Sequence, residues 1–136
     1  LIRRFHEAKL NNATEVVVWG SGKPMREFLY VDDMAQASLF VHKIDRVTFS
    51  EKTRPMLAHV NIGTGTDMTI RDLAETIKNV VGFRGEIVFD HTKPDGTMRK
   101  LMDVSLLSEL GWSGTTKMIS GIQNAYYDFL ERGCGN

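Results

Sequence analysis

Six basic side chains lie in separate segments of the sequence, and together they could neutralise a diphosphate: Arg4, Lys23, Arg26, Lys93, Arg99 and Lys100. Arginine would give forked two-donor contacts to phosphate oxygens, and lysine would give a point charge. This chemistry requires that folding bring the segments together. Otherwise the six are solvated surface charges, and for Lys23, Arg99 and Lys100 the sequence favours neither interpretation.

Two of these cations follow a short apolar run and a glycine-rich turn. Residues 16–18 are all valine, which is too short a run for a helix and predicts a covered β-strand. Residues 20–24 contain two glycines and a proline, which interrupt any periodic structure. Such a turn would bring backbone amides, the ring of Trp19, Lys23 and Arg26 to one place, as an anionic ligand with a flat or sugar-like part requires. Alternatively, Trp19 packs in the core and the cations are loop charges.

The glycines of Gly63-Thr64-Gly65 follow a predicted strand and precede a predicted helix, as a dinucleotide fingerprint would. The third glycine of that fingerprint is absent, because position 68 is Met. We therefore predict a tight turn without a cofactor role.

Residue types for catalysis or metal binding have no convincing spacing. Tyr30 is followed four residues later by Met34, so it is not part of a Tyr-x-x-x-Lys reductase pair. Asp32 and Asp33 resemble paired carboxylates, but the start of a predicted helix explains them as capping and first-turn charges. No metal site is predicted, since the four histidines show no ligand spacing: His6, His42, His59 and His91.

Composition limits the remaining possibilities. The 136 residues, of which 42% are hydrophobic, can bury one modest core, so residues 1–136 are expected to form one domain. Equal numbers of basic and acidic residues, 17 each, argue against a general nucleic-acid or membrane-surface binder. Cys134 is the only cysteine, which excludes a disulfide framework and makes the cytoplasm the default location.

Strands alternate with helices along the chain, which predicts an α/β fold. We predict strands at Glu15–Trp19, 58–62 and Glu86–Asp90, and helices at 1–10, 31–43, Ile70–Val81, 105–110 and 116–132. Thr69 and Gly82 are expected to cap the helix Ile70–Val81, which would bury Ile70, Leu73, Ile77 and Val80. The inner side of helix 31–43 is assigned to Met34, Ala35, Ser38, Leu39 and Val41. Residues 44–55 are charged and aperiodic, so we expect a surface connection or lid.

Several segments resemble a known family in register. They are Val-Val-Val-Trp-Gly-Ser-Gly from position 16, Arg-Glu-Phe-Leu-Tyr-Val-Asp-Asp from 26, Asn-Ile-Gly-Thr-Gly from 61, Thr-Ile-Arg-Asp-Leu-Ala from 69, Lys-Pro-Asp-Gly from 93 and Leu-Gly-Trp from 110. The chain resembles the extended short-chain dehydrogenase/reductase enzymes that act on nucleotide sugars. Within them it is most similar to the GDP-4-keto-6-deoxymannose epimerase/reductases.

The resemblance implies the C-terminal substrate-binding portion of such an enzyme, with the N-terminal Rossmann part missing. It places six residues at the GDP-sugar site: Arg4, Trp19, Arg26, Lys93, Asp95 and Lys100. For Asp95 the alternative is a local turn preference, because Asp is common in Pro-Asp-Gly turns. No catalytic or cofactor-binding residue is expected in this chain, because the family's glycine fingerprint and its Ser/Tyr/Lys, Cys and His groups belong before Leu1.

The implied activity of the parent enzyme is conversion of GDP-4-keto-6-deoxy-D-mannose to GDP-L-fucose by 3,5-epimerisation and NADPH-dependent 4-reduction. NADP(H) would be bound mainly by the missing domain, and the full-length enzyme would be a cytoplasmic homodimer. The chain alone is expected to be inactive. It is also expected to expose apolar surface near Val60 and at positions 34–41, and so to self-associate or dock on a partner. Alternatives are a non-catalytic nucleotide-sugar-binding remnant, or another NAD(P)-dependent epimerase/dehydratase acting on a UDP- or dTDP-hexose.

Overall fold

A computed structural model describes residues 1–133, and Cys134 lies outside them. In chain order the elements are α1 (Ile2–Leu10), β1 (Glu15–Trp19), β2 (Met25–Glu27), α2 (Val31–Lys43), α3 (Arg46–Lys52), β3 (Asp67–Thr69), α4 (Ile70–Val81), β4 (Glu86–Asp90), β5 (Arg99–Lys100), α5 (Ser105–Glu109) and α6 (Met118–Gly133). The predicted α/β class is confirmed. Within the described residues, no helix has the length and apolar character needed to cross a membrane.

The chain forms two compact units built from interleaved segments. The first contains Leu1–Arg26, Met68–Lys100 and, among the described residues, 117–133, and the second contains Glu27–Asp67 and Leu101–Thr116. In the first unit, β1 and β4 pair in parallel, with Glu15 opposite Glu86 and Trp19 opposite Asp90. Parallel strands end at the same edge of a sheet, so the loops after β1 and β4 emerge side by side.

The core of the first unit lies where α1 packs on β1 and α4. Helix α6 packs on α4 as well, and a 3.0 Å hydrogen bond between His6 and Tyr126 joins it to α1. Phe5 is fully buried and meets Phe83 edge to face, with 5.7 Å between the ring centroids. Full burial of a side chain of this kind contributes about 1.5–3 kcal/mol. The rest of this core is aliphatic: Val16, Val18, Leu73, Ala74, Ile77, Val81 and Ile122.

The ends of α4 coincide with the predicted ends because both caps form. The Thr69 hydroxyl accepts a hydrogen bond from the Asp72 N–H and donates one to the Asp72 carboxylate. Gly82 has a φ of 72°, in the left-handed region that terminates helices. The predicted inward face needs a correction. Leu73 and Ile77 are buried as expected, but Ala74 and Val81 complete the face, whereas Ile70 and Val80 are only half-buried.

A second sheet has the strand order β3-β2-β5. Strands β2 and β5 are parallel, with Met25 opposite Arg99 and Arg26 opposite Lys100. Adjacent strands are about 4.8 Å apart. The register therefore puts the side chains of Arg26 and Lys100 next to each other.

In the second unit, α2 has the predicted bounds but a different inner side. Asp33 and Ala37 are buried, whereas Met34 and Leu39 are 41% and 59% exposed. The predicted inner side was wrong for Met34, Ala35, Ser38 and Leu39, which are exposed, whereas Val41 is half-buried. The Asp33 carboxylate can be buried because it accepts hydrogen bonds from the N–H of Thr116 and the hydroxyl of Thr115. Asp33 is thus more than a first-turn charge.

Residues 44–55 lie at the surface as predicted, since none of them is buried, but they include helix α3, which the sequence pattern did not indicate. The Asp45 carboxylate caps α3 by accepting the N–H groups of Val47 and Thr48. The prediction of a strand at 58–62 was wrong, because these residues do not form one. An extended segment becomes a strand only beside a partner, and no strand of the described residues pairs with it.

Candidate functional site

The loop at residues 20–24, here called the glycine loop, joins β1 to β2. Gly20 and Gly22 have φ values of 84° and 75°, a conformation that strains residues with a Cβ. Space is limited as well. A Cβ on Gly20 would collide with the Asp95 carboxylate, and a Cβ on Gly22 would collide with the ring of Phe89. The two glycines therefore let the loop pack closely against residues from β4 and the turn that follows it.

Helix α4 holds the other side of the glycine loop. The N–H of Ile70 donates to the carbonyl of Pro24, and the N–H of Arg71 donates to the carbonyl of Gly22, both at 3.0 Å. The first N–H groups of a helix have no partner within the helix, so these bonds satisfy them. The Arg71 side chain adds a 3.4 Å hydrogen bond to the carbonyl of Ser21. Sequence reasoning missed Arg71, whose only signal was its place at the start of a capped helix.

Asp95 binds the glycine loop with both carboxylate oxygens. Oδ1 accepts the N–H of Ser21 at 2.8 Å, and Oδ2 accepts its hydroxyl at 2.6 Å. The hydroxyl bond, then the N–H bond, and to a smaller extent the positive charges of His91 and Lys23, lower the pKa of Asp95 below its ordinary value. Asp95 therefore stays ionised at neutral pH. It holds the glycine loop in place, whereas the sequence predicted that it would bind a ligand.

Two predicted cations lie beside the turn that contains Asp95. The guanidinium of Arg26 donates to the carbonyl of Met25, and its Nη2 lies 3.2 Å from the position a Cβ on Gly96 would take. Lys100 is the neighbour of Arg26 in the strand register. Within residues 1–133, no carboxylate forms an ion pair with either side chain. Two adjacent cations without a partner carboxylate favour an anion between them.

Trp19 ends β1 with 67% of its surface exposed, so the core-packing alternative for this residue does not hold. The ammonium group of Lys93 lies 5.5 Å from the centroid of its ring, within the range of a cation–π interaction. The indole is thus available to a ligand, next to a positive charge.

Arg4 lies against β1, where its Nη1 donates to the carbonyl of Val17 at 2.8 Å. Val17 stands two residues before Trp19 on the strand. The structure therefore gathers Trp19, Arg26, Lys93, Asp95 and Lys100 around the glycine loop and residues 93–100, and it places Arg4 along the strand that leads to them.

The turn at Gly63–Gly65 is occupied by the chain itself. The Oε1 atom of Glu27 accepts the N–H groups of Thr64 and Gly65 at 2.6 and 2.7 Å, and Oε2 accepts the N–H of Met102 at 3.2 Å. A Cβ on Gly63 would collide with the same carboxylate. An internal anion therefore fills the place of a pyrophosphate, and this turn does not fit NADP(H). Sequence reasoning predicted the tight turn but missed Glu27.

Residues 1–133 contain no group of three or more His, Cys, Asp or Glu side chains arranged to hold a metal ion.

Comparison with known proteins places this site in context. The model of the NAD dependent epimerase/dehydratase family matches residues 1–63. A GDP-L-fucose synthase of Escherichia coli K12 is 56% identical over 131 residues, which cover 96% of this chain and 41% of that protein. The structure of a Campylobacter jejuni GDP-6-OMe-4-keto-L-xylo-heptose reductase superposes with a TM-score of 0.84 at 32% identity, covering 97% of this chain and 46% of that one.

A Naegleria fowleri GDP-L-fucose synthetase solved with NADP has a TM-score of 0.80 at 27% identity, over 98% of this chain and 40% of that one. The chain is therefore similar to the C-terminal part of the extended short-chain dehydrogenase/reductase enzymes of GDP-sugars. Among those enzymes, the similarity to GDP-L-fucose synthases confirms the expected resemblance. The chain spans about 40% of the length of these relatives.

Proposed function

We propose that this chain is the GDP-sugar-binding part of a GDP-L-fucose synthase. The observation that carries the proposal is the group of unpaired cations and an exposed indole around the glycine loop, in a chain 56% identical to a GDP-L-fucose synthase. The chain as a whole has no net charge, so the local excess of positive charge is a property of this site and not of the composition.

The contacts around the glycine loop support a role for each residue. Arg26 and Lys100 lie side by side and would neutralise the diphosphate, with Arg26 donating in pairs. Trp19 would pack its exposed ring against the nucleotide sugar. Lys93, whose ammonium group lies over that ring, would add positive charge beside the ligand. Asp95 would hold the loop and offer its exposed oxygens to sugar or base hydroxyl and amino groups. Arg4 would contribute a further cation along β1.

The contribution of this chain to the reaction would be positioning. A GDP-sugar held by its diphosphate and its ring presents its ketone in one orientation. The translational and rotational entropy that the reaction requires is then already lost on binding, which lowers the barrier to the chemical step. Tyr30 is followed by Met34 where a reductase pair needs Lys, and the Gly63–Gly65 turn is filled by Glu27. We therefore propose that proton transfer, hydride transfer and NADP(H) binding use groups outside these 136 residues, in a cytoplasmic homodimer.

Isothermal titration calorimetry on the 136-residue chain tests the proposal. GDP-L-fucose and GDP should bind, UDP should bind more weakly, and NADPH should show no oxidation with the chain alone. Tighter binding of UDP than of GDP would point to a UDP- or dTDP-hexose enzyme. Absence of nucleotide binding, or turnover of NADPH by the chain, would contradict the proposal.

A second substrate in the same class is favoured by the Campylobacter jejuni structure, which is named for a GDP-heptose. Competition between GDP-L-fucose and a GDP-heptose would separate the two, because both share the nucleotide and differ only in the sugar. A non-catalytic binding role would be supported if supplying the N-terminal part of a relative restored no reductase activity.

A further inference from the structure

Arg71 contacts the glycine loop with both its backbone and its side chain. Its N–H donates to the carbonyl of Gly22, and its Nη2 donates to the carbonyl of Ser21. Asp95 also binds the loop, but only at Ser21, and two residues of the loop are glycines in left-handed conformations that an unconstrained chain samples freely. Because Arg71 binds the carbonyls of two successive residues, Ser21 and Gly22, it limits the conformational freedom of the loop.

Phe89 provides the platform for this arrangement. The Cζ atom of the Arg71 guanidinium lies 3.9 Å from the centroid of the Phe89 ring, within stacking and cation–π distance. The same ring occupies the space where a Cβ on Gly22 would be. One ring therefore touches both the loop and the side chain that binds the loop.

We propose that Arg71 is a positioning residue of the GDP-sugar site: stacked on Phe89, it fixes the glycine loop that carries Trp19 at one end and Arg26 at the other. The inference rests on the proposed function for its ligand, but its effect on the loop is independent of any ligand. Arg71 acts through the loop, because its guanidinium is engaged by the ring and by the carbonyl of Ser21.

The alternative is that Arg71 supplies only positive charge to a bound phosphate. The two roles need different chemistry. A charge contribution survives replacement of Arg by Lys, whereas stacking with a directed hydrogen bond requires the planar guanidinium. Stacking also requires the aromatic ring of Phe89, which is uncharged and would not attract a phosphate.

The experiment uses the full 136-residue chain with four substitutions. Arg71→Lys keeps the charge, Arg71→Met removes it, and Phe89→Leu removes the platform. Arg84→Met is the matched control, since Arg84 is exposed and lies just beyond α4. Hydrogen exchange, followed without ligand, reports on the amides at positions 70 and 71 that donate to loop carbonyls. Calorimetry then measures the affinity for GDP-L-fucose.

We expect all three site substitutions to speed exchange of both amides by roughly tenfold and to weaken GDP-L-fucose binding by roughly three- to tenfold. The double change Arg71→Met with Phe89→Leu should weaken binding less than the product of the single effects, because both remove one interaction. Arg84→Met should change neither quantity.

Normal affinity in Arg71→Lys would overturn the proposal in favour of simple charge. Unchanged amide exchange in Arg71→Met would overturn it as well, even if affinity fell. Faster exchange in a chain that binds no nucleotide at all would retain the effect of Arg71 on the loop and reject the proposed function, so the two failures are distinguishable.

Discussion

The glycine loop at 20–24 and the turn at Gly63–Gly65 are similar in sequence but opposite in what they offer a ligand. Each contains a hydroxyl residue between two glycines, Gly20-Ser21-Gly22 in the loop and Gly63-Thr64-Gly65 in the turn. At the turn, one Glu27 carboxylate accepts three backbone N–H groups and occupies the site itself. At the loop, Ser21 is the only described residue that donates to the Asp95 carboxylate, while Arg26, Lys93 and Lys100 remain around it.

The difference shows that a glycine-rich turn is not in itself an anion site. What decides is whether a carboxylate of the chain already takes the N–H groups and whether nearby cations exceed the nearby carboxylates. By this criterion the turn at Gly63–Gly65 does not bind a further anion, whereas the glycine loop has more cations than carboxylates beside it.

Glu27→Gln should destabilise the chain by about 2–3 kcal/mol. The amide would present a donor to N–H groups that need an acceptor, and hydrogen bonds to a charged group contribute more than neutral ones. The measurement is the free energy of unfolding from urea denaturation. Glu75→Gln, an exposed position on α4, is the control. Equal stability of the two variants would show that the turn does not depend on its internal anion.

Gly22→Ala should cost about 2 kcal/mol in unfolding free energy, because it adds a left-handed strain and a collision with Phe89. Gly111→Ala is the matched control, since Gly111 has a φ of 99° and open space around it. The control should lose only the backbone part, roughly half as much. Combining Gly22→Ala with Phe89→Leu should recover part of the loss, and no recovery would rule out the steric explanation.

Arg26→Gln should weaken GDP-L-fucose binding about tenfold, because a charge-assisted pair of donors is lost from the proposed diphosphate site. Lys117→Gln removes an exposed charge elsewhere in the same unit and should have little effect. Calorimetry at low and high salt gives the comparison. The affinity of Arg26→Gln should depend less on salt than that of the unchanged chain. The same affinity in both variants would remove Arg26 from the site.

Trp19→Ala should weaken the same ligand about fivefold and leave unfolding free energy within about 0.5 kcal/mol, since the ring is exposed. Tyr127→Ala, which removes an aromatic ring 63% exposed on α6, controls for a general surface effect. A large loss of stability in Trp19→Ala would instead support a packing role for the ring.

The smallest effect concerns pH. Hydrogen bonds from Ser21 lower the pKa of Asp95, so the bonded carboxylate stabilises the fold above the pKa of the unfolded chain. That contribution is lost as the pH falls through the lowered pKa, below about pH 4. Urea midpoints of the unchanged chain and Asp95→Asn should therefore differ at pH 6 and converge toward pH 2. A constant difference would contradict this linkage.

Local signals explain how much of the fold the sequence predicted. Helix α4 matched because Thr69 and Gly82 act within a few residues of the ends they define. Helix α3 was missed, since its single strong signal, the Asp45 cap, stands in a charged segment without apolar periodicity. The predicted strand at 58–62 failed because a strand depends on a partner, which the segment's own residues do not specify.

For the candidate site as well, the sequence indicated local features but not contacts between distant residues. Residue types and the family resemblance identified the cations and Trp19, and parallel strand ends brought most of them together. Glu27 and Arg71 were missed, because their partners are distant in sequence. Glu27 binds residues 37 to 75 positions away, and Arg71 binds one 50 positions away. A single sequence gives no sign of such pairings for charged residues that also suit a solvent-exposed surface.

The exposed indole at the end of β1 has a practical consequence. The ammonium group of Lys93 lies 5.5 Å from the centroid of the Trp19 ring. The only other tryptophan of the sequence, Trp112, belongs to the second unit. With Trp112→Phe as background, the fluorescence of Trp19 would report on this corner alone. Occupancy by a guanine nucleotide would be readable as quenching or a blue shift, without any label.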